Sequence, residues 1–178
     1  MPNKENLILT ATGPDRVGLV EKISEFVVEH GCNIEDSKMA VFCGEFALIV
    51  LISGDSSHLQ RVTSAYRDLE ALTGLGIAVK KPSAKRPAEQ SSLPYRLTAS
   101  CMDHPGVVYR LSRLLSQLNV NIESMETKTY PAPVSGTPIF RLEAVLSVPA
   151  QVNINSLRGR FLEIEREENI DVDLSPIE

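Results

Sequence analysis

The residues of this chain best suited to chemistry stand in one short turn, Ala11-Thr12-Gly13-Pro14-Asp15-Arg16-Val17-Gly18-Leu19-Val20. Gly13 and Gly18 permit close backbone approach, Pro14 stiffens the turn, and the unpaired N–H groups opening the next helix offer a place for a small carboxylate. Asp15 reads in two ways, as a cap for that helix or as the acceptor of an amino acid's α-ammonium. Arg16 either pairs with the carboxylate of a ligand or partner or lies solvated at the surface. A second turn, Ser100-Cys101-Met102-Asp103-His104-Pro105-Gly106-Val107-Val108, keeps the aspartate and the glycine but has His104 in place of Arg16. That exchange makes any second site less fixed in positive charge and more sensitive to pH near neutrality; the alternative is a capping or surface histidine. Asn33 and Asn121 open the strands that follow. Each either faces its turn and hydrogen-bonds a bound amino acid or closes the corner between helix and strand.

Other chemistry finds little support. The three histidines, His30, His58 and His104, fall in no metal-protease, Cys/His or nucleophile-elbow pattern. Gly13 to Gly18 has the glycine spacing of a phosphate loop, but Leu19-Val20 stands where lysine and a hydroxyl residue are required. Gly74-Leu75-Gly76 precedes a strand, where a dinucleotide fingerprint follows one. Glu163, Glu165, Glu167, Glu168, Asp171 and Asp173 read as a solvated face. No catalytic residue, metal ligand or cofactor is expected. Cys32, Cys43 and Cys101, odd in number and widely separated, read as buried or half-buried thiols.

The elements that must position these turns are revealed by an internal repeat. At one offset of 88, Leu7 to Ala11 lies over Tyr95 to Ala99, Asp15 over Asp103, Gly18 over Gly106, Gly31 over Asn119, and Asn33-Ile34-Glu35 over Asn121-Ile122-Glu123. After an insertion of 6 in the second copy, Phe46, Leu48 and Ile52 match Phe140, Leu142 and Leu146. A further helix matches at offset 95, with Leu59, Val62, Tyr66 and Leu69 over Ile154, Leu157, Phe161 and Ile164.

Within each copy the apolar period changes in a fixed order. Leu7 to Thr12 reads as a strand, Arg16 to Glu29 as a helix, Asn33 to Phe42 and Glu45 to Ser53 as strands, Ser57 to Leu72 as a helix, and Ile77 to Lys80 as a last strand. The fold class is α+β: two tandem ferredoxin-like βαββαβ domains, each a four-stranded antiparallel sheet with two helices on one face. Gly31 and Asn119 are placed to close the first helix of each copy with a positive φ, and Pro105 is placed as a first helical residue. Thr129 to Pro138 is expected to be too proline-rich to continue a ladder. Residues 1–81 form the first domain, 82–92 a linker with prolines and small and basic side chains, and 93–178 the second domain. Alternation puts Ile34 with Asp36, Lys38 and Ala40 on one side of its strand, a face not wholly polar, so sheet packing between domains or chains, and a homo-oligomer, is the economical outcome.

Composition bounds the partners. Of 178 residues 43% are apolar and 23% charged, the profile of a folded chain. Lys plus Arg number 18 against 23 Asp plus Glu, a formal charge of -5, which disfavours a broad grip on nucleic acid. The longest apolar runs, near Phe46 to Ile52 and Val145 to Val148, fall far short of the roughly 18 residues that span a bilayer. With no signal-peptide core visible, a cytoplasmic location away from membranes is expected.

Gly13-Pro14-Asp15-Arg16-Val17-Gly18-Leu19-Val20, followed after one helix by Gly31-Cys32-Asn33-Ile34, resembles the opening of the ACT domain, a small-molecule regulatory module of amino-acid metabolism. The resemblance covers nearly the whole chain as two tandem copies. It implies a non-enzymatic regulator that binds a small amino acid of the glycine, alanine or serine class, glycine first, and contacts a protein partner, a transcriptional activator, with no direct hold on nucleic acid. The family's ligand position implies Asp15, Arg16, Val17, Gly18 and Leu19 with Asn33 in the first copy. In the second it implies Asp103, His104, Pro105, Gly106 and Val107 with Asn121, and the departures at His104 and Pro105 bear on ligand competence there.

Overall fold

The computed structural model describes residues 4–83 and 91–177. The chain divides into two compact units, residues 1–87 and 88–178. The first contains β1 (Glu5–Pro14), α1 (Leu19–Glu29), β2 (Asn33–Phe42), β3 (Glu45–Gly54), α2 (Ser56–Thr73) and β4 (Gly76–Lys80). The second contains β5 (Ser92–Met102), α3 (Val107–Gln117), β6 (Asn121–Pro131), β7 (Pro138–Pro149), α4 (Ile154–Glu168) and β8 (Asp171–Pro176). Each unit is a four-stranded antiparallel sheet, in the order β2-β3-β1-β4 and β6-β7-β5-β8, flanked by two helices. This is the expected tandem βαββαβ architecture. Of the expected linker, residues 84–90 lie outside the described residues, and β5 already begins at Ser92.

Alternation drives each sheet onto its helices. On β1 and β3, Leu7, Leu9, Ala11, Phe46, Leu48, Val50 and Ile52 are buried, and they meet Leu19, Ile23, Phe26 and Val27 of α1 and Leu59, Val62 and Leu69 of α2 in one core. The second unit repeats this with Leu97, Ala99, Leu142, Ala144 and Leu146 against Leu111, Leu115, Leu157 and Phe161. Burying each large side chain contributes about 1.5–3 kcal/mol.

The opposite faces of the two sheets differ. In the first unit Ile8, Ala47, Ile49 and Leu51 point away from the helices, whereas in the second Arg96, Arg141, Glu143, Glu126 and Lys128 do. Both faces are mixed, as expected: Asp36 and Lys38 stand beside Leu51 and Ile49 in the first unit, and Val145 stands beside Arg96 in the second, but the first is the more apolar. A β-bulge between Ile34 and Asp36 leaves Glu35 unpaired and swings Ile34 onto the core side opposite Ile52, away from Asp36 and Lys38. Simple alternation misplaces Ile34 for this reason. Glu123 occupies the same bulge in the second unit.

Helix α1 starts at Leu19 and not at Arg16, because the chain leaves the sheet only after Pro14 and needs Asp15 to Gly18 to reverse. Val20, the second residue of the helix, is exposed. Gly31 (φ 74) and Asn119 (φ 54) close their helices in the left-handed region as expected. The proline-rich segment does not break its ladder: Thr129, Tyr130 and Pro131 pair with Phe140, Ile139 and Pro138. Strand β6 lies at the sheet edge, where a missing N–H costs nothing, and only Ala132 to Thr137 forms the loop. Cys43, expected to be buried or half-buried, is exposed at the two-residue hairpin tip, while Cys32 and Cys101 are buried.

Substituting Asn119 by alanine is expected to cost about 1–2 kcal/mol, because alanine lacks the side chain that eases the left-handed region. Glycine at the same position is expected to stay within a few tenths of the parent. Urea melts followed by circular dichroism measure both; equal stability of the three proteins would contradict the role assigned to this φ.

Candidate functional site

The turn between β1 and α1 is set by glycine. Gly18 takes φ 91 and ψ -1 as the residue before the helix, and no side chain caps that end. The first bond within the helix is Lys22 N–H to Gly18 C=O at 3.0 Å, so the amides of the opening turn point outward. Gly106 (φ 104) opens α3 in the same way, with Arg110 N–H on its carbonyl at 3.0 Å. A side chain at either position would be strained whatever the free space, which rules out the usual Ser, Asp or Asn cap.

Asp15 is accordingly not a helix cap. It stands four residues before the first residue of the helix, exposed, and its N–H donates to Gly44 C=O at 2.8 Å, tying the turn to the β2–β3 hairpin. Asp103 N–H likewise donates to Pro138 C=O at 2.9 Å. Pro105 is also displaced from its expected place as a first helical residue: it lies in the turn ahead of Gly106, and Val107 begins the helix. Val17 projects fully into solvent, whereas Leu19 and Val107 are buried as core anchors of their helices.

Arg16 is neither free nor simply solvated. Its guanidinium donates through Nη2 to the C=O of Thr73, the last residue of α2. Helix carbonyls at that end lack partners and carry partial negative charge, so the arginine satisfies one and complements the dipole. In the second unit His104 Nε2 lies 4.0 Å from Glu168, the last residue of α4, and Arg110 Nη1 lies 2.5 Å from the same carboxylate. Thr73 and Glu168 are equivalent at offset 95. The two turns are thus tied to the same structural point by different chemistry.

Around each opening helix the charges differ as well. Glu21 sits in the first turn of α1, and its equivalent in α3 is Tyr109. The turn and the helix start therefore carry two exposed carboxylates, Asp15 and Glu21, that suit an ammonium, and outward amides that suit a carboxylate. Leu75 occupies the space beside Gly13, where an added Cβ would lie 3.0 Å from Leu75 Cδ2, so the close approach allowed there is taken by the protein itself.

Asn33 and Asn121 are not brought to their turns. Asn33 pairs with Ser53, and the turn leaves the sheet beside Glu45, eight residues away on β3. That is about 26 Å of strand at about 3.3 Å per residue. Asn121 opposite Ser147 stands just as far from Met102 opposite Ile139. Each asparagine instead donates to the bulged glutamate, Asn33 Nδ2 to Glu35 at 3.2 Å and Asn121 Nδ2 to Glu123 at 2.6 Å. The reading as a corner-closing residue is the one this geometry fits. The hydroxyl of Ser53 also donates to Glu35, and this bond, with that from Asn33, holds the Glu35 carboxyl below the usual glutamate range.

Residues that sequence reasoning passed over complete the frame. Glu70 Oε1 accepts from Ile77 N–H at 2.9 Å, and Glu165 Oε1 accepts from Val172 N–H at 2.8 Å, locking the second helix of each unit to its last strand. The signal was present, since Glu70 and Glu165 share the offset of 95. Among the described residues no cluster of His, Cys, Asp and Glu suits a metal ion, and no helix is long and apolar enough to cross a membrane.

Comparison with known proteins places this geometry. Residues 5–80 match the family model of the ACT domain. Over 162 residues the chain is 28% identical to the glycine cleavage system transcriptional repressor of Escherichia coli strain K12, covering 90% of this chain and 84% of that one. A crystal structure of an unknown protein from Galdieria sulphuraria superposes with a TM-score of 0.83 at 28% identity, covering 99% of this chain and all of that one. A second crystal structure, of a candidate glycine cleavage system transcriptional repressor, gives 0.72 at 25% identity over 98% of both chains.

Replacing Ser53 by alanine is expected to raise the Glu35 pKa toward the ordinary 4.5, read by carboxyl carbon NMR. The sign follows from linkage. A depressed folded-state pKa adds stability that is fully present above pH 4.5 and is lost as pH falls through the folded value, so S53A should flatten the acid limb of the stability profile. An unchanged Glu35 titration would contradict the assigned bond.

Proposed function

Because this chain is a tandem ACT-domain protein related to the glycine cleavage system transcriptional repressors, a non-catalytic regulatory family, we propose that it senses a small amino acid and passes that state to a protein partner. The observation that carries the reading is the uncapped start of α1 at Gly18, with outward amides, Glu21 in its first turn and Asp15 exposed in the turn ahead of it. Those amides suit a carboxylate, and the aspartate suits an ammonium, so the turn from Asp15 to Leu19 is matched to a zwitterion. Glycine is the first choice of ligand, with alanine and serine as alternatives, in keeping with the metabolic system named in the relatives. The equivalent turn from Asp103 to Val107 offers fewer carboxylates and a histidine already near Glu168, and is the weaker of the two sites.

The partner in this reading is a transcriptional activator, met by protein contact in the cytoplasm, and the regulated process is glycine cleavage. The formal charge of -5 supports protein contact over a direct grip on DNA. A second reading has its own observation: Arg16 is held by Thr73 and the side of Gly13 is filled by Leu75, as in a module that works through protein contact with no ligand, on another protein or enzyme of amino-acid metabolism.

Titration calorimetry with glycine, alanine and serine separates them. Saturable heat with one of the three is expected, and D15A is expected to weaken it by tenfold or more, since a lost charged hydrogen bond costs about 1.5–3 kcal/mol. The circular dichroism spectrum of the variant should be unchanged. No heat with any of the three would leave the ligand-free module standing.

A further inference from the structure

Between α1 and α2, on the side away from the sheet, lies a groove of about 220 Å³. Its floor is apolar, made by Phe26 and Leu69, with Ala65 leaving the middle open and Leu72 exposed at one wall. Its rim is acidic: Glu25 and Glu29 from α1 and Asp68 from α2 face a single ammonium, Lys22. Glu25 and Glu29 are four residues apart on one helix face, a like-charge spacing that destabilises a helix. Among the described residues none of these three carboxylates has an ion-pair partner.

The second unit does not keep this surface. At the repeat offsets Glu25 becomes Arg113, Glu29 becomes Gln117, Ala65 becomes Arg160 and Leu72 becomes Glu167. Arg160 pairs with Glu163 at 3.3 Å there, so charge of both signs stands where the first unit has an open apolar floor. A helix pair that needed only to cover its sheet would have no reason to hold an unrelieved acidic rim around exposed Leu72 in one copy alone.

We propose that the α1–α2 groove of the first unit is the docking surface for a basic, amphipathic segment of a partner protein, which sets an apolar side chain between Ala65 and Leu72 and its Lys or Arg side chains against Glu25, Glu29 and Asp68. Helix-in-groove recognition works by such apolar anchors, and the flanking charges fix register and speed the encounter. The inference rests on the regulatory reading for the existence of a partner, but the groove shares no residue with the turn from Asp15 to Leu19 that is assigned to the amino acid.

The test is an amide NMR titration of the full chain with three synthetic peptides of equal length: a Leu/Lys amphipathic helix, its Leu/Glu counterpart, and a Ser/Lys peptide with no apolar face. The Leu/Lys peptide is expected to shift Glu25, Glu29, Ala65, Asp68 and Leu72 saturably, more weakly as salt rises. The other two peptides should give no saturable shift there. The variant E25K/E29K/D68K, confined to exposed positions, is expected to bind tenfold more weakly or less, and L72S to weaken binding without a change of charge. Shifts spread equally over the acidic face of α4 around Glu163 and Glu167, no shifts at all, or binding indifferent to both variants would overturn the proposal. Adding glycine to the same samples reads the turn from Arg16 to Leu19 separately, so failure of the amino-acid site is told apart from failure of the groove.

Discussion

A central strand, buried on its helix-facing side, must hand the chain to a helix lying across its own sheet within four residues, and the rest of each unit depends on how that reversal is made. Leu9 and Ala11 hold β1 in the sheet while Ile23 and Val27 hold α1 upon it, so neither element can shift to ease the turn. The reversal therefore falls on Gly18, and on Gly106 in the second copy, with φ 91 and 104. A backbone in that region excludes the residue types that cap helices, since each would add about 1–2 kcal/mol of strain. The open helix start is thus a consequence of the fold and not an ornament on it. A ligand site there inherits its amides from the same glycine that makes the turn possible.

The duplication then shows what is fixed and what is free. Both copies keep the glycine, the backbone bond from aspartate to hairpin, the bulged glutamate held by its asparagine, and the glutamate that locks the last strand. These are groups whose removal leaves a backbone donor unpaired or a turn unformed. What differs is mostly at the surface: Arg16 against His104, Glu21 against Tyr109, and an outer sheet face richer in apolar side chains against one richer in charge. Divergence is concentrated where solvent or a partner is the neighbour, so the two copies share a frame and present different surfaces.

The order of elements was legible because it rests on period. Residues two apart on β1 and β3, and three or four apart on α1, face one core, and nothing distant alters that pattern. What alternation could not show was a change of phase, and the bulge at Glu35 moved Ile34 to the other side of its strand. The choice between the two readings of Asn33 was hidden for a related reason. Its nearness to the turn in sequence, through one helix, does not survive a topology in which β1 and β2 run the same way and the helix returns to the far end. Asp15 looked like a cap because the start of α1 was placed at Arg16, and only the path out of the sheet reveals that the cap position belongs to Gly18. Pro131 and Pro138 were read as breakers because the edge position of β6 and the place of Pro138 as the first residue of β7 are properties of the sheet and not of the segment.

The bond from Arg16 to Thr73 gives the proposed site a route outward. A carboxylate bound at the start of α1 and drawing on Arg16 would have to take it from the helix carbonyl, so its net gain is the difference between two charged hydrogen bonds and not the whole of one. Affinity would be correspondingly modest. The released end of α2 would lose its tie to the turn, and Leu72 and Asp68 of the acidic groove stand within the last turn or two before that carbonyl. Ligand and partner would then act on one element from its two sides, and by linkage any preference of the ligand for the released arginine must appear as an equal change in the partner's affinity. The histidine of the second unit lies near a carboxylate and not a backbone carbonyl, so the same exchange would have no counterpart there.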